Sequence, residues 1–221
     1  MKIIGHRGAK GLAPENSQQS LAKAIKYKVD EIEVDVQVTA DGVAILEHDF
    51  WMDDAQGKQY PVKEHTHAEL VDIKSTIITL THGLKFVNRC VPVQVECKPG
   101  IDTAVVVADI QKLLDDGWQP SDIVLSSRSY RTLRALHRAL PQNPLCVIES
   151  WSSVRAVWRA RRLRTKRISM NARWLWSGVI RSLHRGGYTL AIYTINDPRR
   201  IKHWRRSHIW AVITDYPNHW E

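Results

Sequence analysis

Two histidines, three carboxylates, an arginine and a lysine stand in four short clusters: His6-Arg7-Gly8, Glu33-Val34-Asp35, His48-Asp49 and Glu96-Cys97-Lys98. Each cluster ends an apolar, strand-like run. Together they hold the groups needed to cut a phosphodiester with the help of a cation. Glu33 and Asp35 are two apart, so an extended strand points both to one side. Paired carboxylates repel and cost desolvation, and a bound cation resolves both problems. Glu96 adds a third oxygen ligand. An all-carboxylate set suits a divalent cation such as Mg²⁺ or Ca²⁺ better than zinc. The runs Ile32-Val34-Val36 and Val93-Val95-Cys97 put the apolar alternation on the opposite face of each strand, against a helix layer.

His6 and His48 suit proton transfer, because an imidazole with a pKa near ~6.5 gives or takes a proton near neutrality. Cleavage needs one oxygen deprotonated and another protonated, and two histidines can divide those tasks in either order. Arg7 offers a rigid fork for phosphate oxygens, and Lys98 a point charge on the same side. Gly8 permits a turn or a close approach. In Pro14-Glu15-Asn16, Asn16 reads as a helix cap before Ser17. Glu15 either reaches the site or supports the loop.

These clusters need elements that bring them together. Apolar, β-rich runs fall at residues 3–5, 31–35, 91–97, 122–126, 145–149, 167–171, 188–195 and 209–214. Helical patterns fill most of the gaps, at 17–28, 105–116, 131–140, 154–163, 175–185 and 198–206. Eight strands alternating with helices predict an α/β chain folded as a closed (β/α)8 TIM barrel. An open doubly wound sheet is the rival, but no glycine fingerprint follows the first strand. In a barrel the C-terminal strand ends share one mouth, which is where the clusters lie.

Between Asp35 and His48 there is no room for a crossover helix. Asp41-Gly42 instead signals a β-hairpin arm between 36–39 and 43–47, which folds His48 back across from Glu33 to Asp35. Residues 50–88 are less regular. They read as a small insertion flanking the mouth, with an exposed turn at 53–58 and short helices at 67–73 and 76–86.

A length of 221 residues suits one barrel domain spanning 1–221. The net charge of +9 favours anionic partners without choosing among them. The start of the chain does not resemble a signal peptide, and no apolar run reaches membrane-spanning length. Cys90, Cys97 and Cys146 lack metal-type spacing and read as reduced thiols, so a cytoplasmic location is expected. Residues 158–167 are intensely basic, and seven of nine tryptophans lie at or after Trp151. This segment reads as a solvated outer helix, as a peripheral contact with anionic membrane, or as a nucleic-acid surface. No recognised nucleic-acid module accompanies the charge.

The ordered set His6-Arg7-Gly8, Pro14-Glu15-Asn16, Glu33-Val34-Asp35, Asp41-Gly42, His48-Asp49 and Glu96-Cys97-Lys98 resembles the glycerophosphodiester phosphodiesterase family. Tyr193-Thr194-Ile195-Asn196 and Ile213-Thr214-Asp215-Tyr216-Pro217 resemble its closing motifs, so the likeness runs from about Lys2 to Pro217. It implies metal-dependent hydrolysis of glycerophosphodiesters to glycerol 3-phosphate and an alcohol. It implies His6 and His48 as the catalytic pair, Glu33, Asp35 and Glu96 as metal ligands, and Arg7 and Lys98 at the phosphate. A vicinal glycerol hydroxyl as first nucleophile, giving a cyclic phosphate, is also implied by the resemblance. Glu15, Tyr193 and Asn196 are candidates for a substrate wall or its support.

Three departures stand out. Tyr193 replaces the family's usual tryptophan. Residues 49–92 lack its common arginine and its proline-threonine-leucine segment. Ser207-His208-Ile209-Trp210 replaces a glycine-valine-aspartate approach. They bear on the alcohol accepted more than on the reaction. A lysophospholipase D-type action on lysophospholipids would use the same site with an apolar groove beside it. A non-catalytic phosphodiester-binding or scaffold barrel is the alternative of another class.

Overall fold

The computed structural model describes residues 1–201 and 208–220. In chain order it contains β1 (Lys2–Gly5), α1 (Gln18–Lys26), β2 (Glu31–Val38), β3 (Ala44–Leu46), β4 (Trp51–Asp53), β5 (Gln59–Pro61), α2 (His67–Ile73) and α3 (Leu80–Val87). There follow β6 (Val93–Cys97), α4 (Thr103–Asp115), β7 (Ile123–Ser127), α5 (Tyr130–Ala139), β8 (Leu145–Glu149), α6 (Ser153–Arg162), β9 (Arg167–Asn171), α7 (Ser177–Arg185), β10 (Thr189–Tyr193) and β11 (Ala211–Thr214). Eight of these strands form a parallel sheet in the order β1-β2-β6-β7-β8-β9-β10-β11, and β1 pairs with β11 to close it. This is the (β/α)8 barrel expected from the alternation of strands and helices.

The two faces of the strands divide as the alternation predicts. Ile32, Val34, Val36, Val93, Val95 and Cys97 are buried in the large core between the sheet and its helices. Glu31, Glu33, Asp35, Gln94 and Glu96 turn the other way, into the barrel. At the end opposite the mouth, Arg167 pairs with Glu31 and donates to Gln94 at 3.1 Å. A smaller cluster of Ile4, Ala191, Ala211 and Ile213 fills the interior on the β1, β10 and β11 side.

The hairpin arm forms as the Asp41-Gly42 signal requires. β3 runs antiparallel to β2 in the register Val36↔Leu46, Gln37↔Ile45 and Val38↔Ala44. Gly42, with φ of +74°, completes the turn, and its amide donates to the Thr39 carbonyl at 3.1 Å. The Glu47 amide donates to the Asp35 carbonyl at 3.1 Å, which sets His48 beside the carboxylate strand.

Three local expectations change and one element is added. Ser17, not Asn16, caps α1, in a reciprocal pair with Ser20; Asn16 has a left-handed φ of +53° and is spent elsewhere. The exposed turn at 53–58 closes a small antiparallel ladder of β4 and β5, which short, mixed runs did not announce. The helix expected at 76–86 begins only at Leu80, after the Thr79 cap, because the preceding residues form a bridge from Thr79 to Ile45. The helix expected at 198–206 lies partly outside the described residues, as do Trp204 and Ser207; its described start, Pro198–Ile201, is a 3-10 turn. The insertion has its own cluster of Met52, Val62, Leu70 and Ile77, anchored on Ile45 of the arm.

Candidate active site at the barrel mouth

Strand register builds the site. Asp35 and Glu96 are direct partners across β2 and β6, and Glu33 pairs with Gln94 one layer down. As a result, one oxygen each from Glu33, Asp35 and Glu96 lie within 4.8 Å of one another, all buried. The side chains differ in how they are held. Asp35 is crowded by donors: Lys98 Nζ, Asn16 Nδ2 at 3.1 Å, and Arg7 Nε at 3.1 Å as an ion pair. Burial raises its pKa, but the charges of Lys98, Arg7 and His48 outweigh that and hold it below the usual value. The Glu33 carboxylate accepts only the Arg7 amide, at 3.0 Å, among the described residues. Burial, then the charges of Asp35 and Glu96, pushes its carboxyl well above the usual carboxylate range.

A buried carboxylate trio with one member this poorly neutralised fits a hard divalent cation. Glu33, Asp35 and Glu96 are the residues that would hold it. A second group, Glu15, Glu47 and Asp49, also lies within mutual reach. Its members already have partners: Arg7 and Lys10 on Glu15, Lys74 on Glu47, and the His48 imidazole on Asp49.

His6, Arg7, Glu33, Asp35, His48, Glu96 and Tyr193 line a single pocket at this mouth, together with Gln94, Arg128 and Ser169. His6 Nδ1 lies 2.5 Å from Asp215 Oδ1. Burial raises the pKa of Asp215, yet the hydrogen bonds from His6 and Asn196 bring it below its usual value. The ionised carboxylate accepts from Nδ1–H and leaves Nε2 of His6 for the pocket. Asn196 holds Asp215 at two points, donating to its carboxylate Oδ2 at 2.7 Å and accepting from its backbone amide at 2.9 Å. His48 Nδ1 lies 2.6 Å from Asp49 Oδ1 in a more open setting. Both histidines therefore have one nitrogen engaged by a carboxylate, and both line the pocket.

Arg7 Nη1 donates to both oxygens of Glu15, at 2.8 and 2.9 Å, so Glu15 fixes the guanidinium. Arg7 itself has a left-handed φ of +49°. Lys98 differs most from its expected place. It is buried, it does not line the pocket, and its ammonium is held by Asp35 and by Glu96 Oε1 at 3.2 Å. The close carboxylates explain this, since they raise its pKa despite burial. Arg128 is the cation that reaches the pocket instead, with Nε 3.5 Å from Glu96. The Tyr193 ring lines the pocket beneath the Arg128 guanidinium at 5.8 Å, and its hydroxyl donates to the Glu149 carbonyl at 3.2 Å.

Asp215, Arg128 and the Asn16 contact to Asp35 were missing from the sequence-derived site. Asp215 and Arg128 each directly follow a barrel strand, so the rule that picked out the first three strand ends also applies to them.

A closed barrel with this mouth defines a class: a barrel hydrolase equipped for cation-assisted phosphodiester cleavage. The chain belongs to the glycerophosphoryl diester phosphodiesterase family, whose model matches residues 6–219. It is 26% identical to the glycerophosphodiester phosphodiesterase of Bacillus subtilis, across 97% of this chain and 83% of that protein. It is 25% identical to that of Bacillus altitudinis, across 98% and 95%. In fold it matches a phosphodiesterase of Oleispira antarctica in complex with the product sn-glycerol-3-phosphate, with a TM-score of 0.87, 22% identity, and coverage of 98% and 94%.

Proposed function

We propose that the mouth pocket hydrolyses glycerophosphodiesters to glycerol 3-phosphate and an alcohol, with His6 and His48 moving the protons. One observation carries this reading: two histidines, each with Nδ1 engaged by a carboxylate, line the same pocket as a buried three-carboxylate cluster. The product held by the Oleispira antarctica enzyme of the same fold supports the choice of substrate.

Glu33, Asp35 and Glu96 would hold a divalent cation, Mg²⁺ or Ca²⁺, which when bound would supply positive charge to offset the negative charge of the phosphate. Arg7 and Arg128 hold the remaining negative charge. Lys98 contributes from behind, by balancing Asp35 and Glu96. In the first step one histidine takes the proton of the vicinal glycerol hydroxyl, whose oxygen bonds to phosphorus. The other histidine protonates the departing alcohol oxygen. In the second step water opens the cyclic phosphate, the roles reverse and both imidazoles return to their starting states. Glu15 and Asn196 act as supports, through Arg7 and Asp215, and Tyr193 walls the substrate.

A second substrate has an observation in its favour. A groove of about 510 Å³ lies between the arm, the β4–β5 ladder and the loop after β6, lined by Val38, Phe50, Trp51, Pro61, Val62 and Ile101. It adjoins the pocket, because Gln37 in its wall donates to the His48 carbonyl at 3.4 Å. An acyl chain lying there would make a lysophospholipid the substrate of the same chemistry. Turnover of glycerophosphocholine and of lysophosphatidylcholine, each with Mg²⁺, Ca²⁺ or chelator, separates the readings. We expect cation-dependent release of glycerol 3-phosphate from the former; a preference above about 100-fold for the lipid would reverse the order.

A further inference from the structure

The net positive charge is concentrated in one part of the barrel. Residues 128–196 hold fourteen Lys and Arg but a single acidic residue, Glu149. The rest of the chain holds eighteen Lys and Arg against twenty-two Asp and Glu, and is acidic on balance. The basic stretch comprises β8 to β10 with the outer helices α5, α6 and α7.

The exposed apolar side chains cluster in the same sector. Among the described residues, five of the eight large exposed hydrophobics are Trp151, Val154, Trp158, Trp174 and Trp176. Trp151 is 72% exposed, Val154 79% and Trp176 68%. Isolated exposed apolar residues are ordinary, but here Trp151 pairs with Trp174, and Val154 and Trp158 share the exposed side of α6. Trp151 follows β8 and Trp174 follows β9, both on the mouth side, and their rings stack at 6.5 Å. Along α6 the outward stripe reads Val154, Arg155, Trp158, Arg161 and Arg162, while Ala156 and Ala160 face the core.

These side chains are held in place. Glu149 accepts from both Arg155 Nε and Arg155 Nη2 at 2.6 Å and from the Trp151 amide at 3.2 Å, which fixes the loop that displays Trp151. Trp176 lies against Gly178, where an added Cβ would meet its ring at 2.0 Å. A glycine on α7 thus leaves a berth for an indole that stays open to solvent.

Tryptophans interleaved with arginines on an amphipathic outer face are the composition that rests in the interfacial layer of an anionic bilayer. No described helix is long and apolar enough to cross a membrane, so the contact would be peripheral. We propose that the α6 face and the Trp151–Trp174 edge of the mouth dock the protein on anionic phospholipid surfaces. This goes beyond the reaction and holds whether or not the hydrolysed substrate is a lipid.

The test is co-sedimentation of the full chain with vesicles of phosphatidylcholine alone or mixed with phosphatidylglycerol, at low and high salt. Tryptophan emission and turnover of soluble glycerophosphocholine are read in parallel. We expect partitioning onto the phosphatidylglycerol vesicles that weakens with salt. The double variants Trp151→Ser/Trp174→Ser and Arg161→Glu/Arg162→Glu should each lower it about tenfold or more. None of these four residues lines the pocket, so soluble turnover should persist and report an intact fold. Absence of vesicle binding, equal binding to both lipid mixtures, or unchanged binding by both double variants would overturn the proposal. So would capture of the protein from the vesicles by duplex DNA, which would mark the basic sector as a nucleic-acid surface.

Discussion

His6 is aimed by a carboxylate that is itself clamped: Asp215 takes Nδ1, and Asn196 grips Asp215 from two directions. Asp215→Asn keeps the shape but removes the charge that selects the imidazole tautomer, so kcat should fall about 10²-fold or more with a smaller change in KM. Steady-state kinetics beside an unchanged circular dichroism spectrum would check it. Glu149 gives a pH prediction for folding. Burial raises its pKa, but the hydrogen bonds and charges of Arg155 and Arg159 hold it below 4.5 in the folded protein. A depressed folded pKa means that its contribution to stability is complete above the unfolded value and is lost as pH falls through the folded one. Urea midpoints should therefore drop with acid below about pH 4.5, and Glu149→Gln should flatten part of that slope. Glu33, Asp35 and Glu96 were legible because two-residue spacing and strand alternation orient them. Lys98 was not, since sequence gives its strand end but not the pull of two carboxylates. Asp215 escaped because its partner, His6, lies 209 residues away.

Register is what turns the second strand into a site. The pairing of Asp35 with Glu96 gathers the carboxylates, and the antiparallel return of β3 delivers His48. The hairpin was readable because Asp41-Gly42 is a local turn signal and the gap is too short for a parallel crossover. The β4–β5 ladder was not, because its strands are held by the packing of Met52 and Val62 on Ile45 and not by their own pattern. Two glycines on these elements make a paired prediction. Gly8 has a φ of +79°, and an added Cβ would meet Ser20 Oγ at 2.4 Å, so α1 presses on the His6–Arg7 segment. Gly42 has a φ of +74°, but its added Cβ meets nothing. Gly42→Ala should cost about 1–2 kcal/mol and Gly8→Ala about 2–4 kcal/mol, with lost turnover for the latter. Equal costs in urea unfolding would show that the Gly8 contact is not tight.

The closed barrel brings the ends of the first strand, the second strand with its arm, the third and the eighth to one mouth, which neither an open sheet nor a chain of local motifs would do. The eightfold alternation made this architecture legible. The sequence showed the basic run at 158–167 and the total of +9, and the described helices are needed to show that the charge belongs to one sector beside the mouth. At this scale the function depends on one pocket joining cation-binding carboxylates to histidine proton transfer. The direct measurement is release of glycerol 3-phosphate from glycerophosphocholine by the purified chain with Mg²⁺ or Ca²⁺, compared with His48→Ala and Glu33→Ala. We expect cation-dependent release by the native sequence and a loss of about 10²-fold or more in each folded variant. Full activity in both variants, or undiminished release in the presence of chelator, would contradict it.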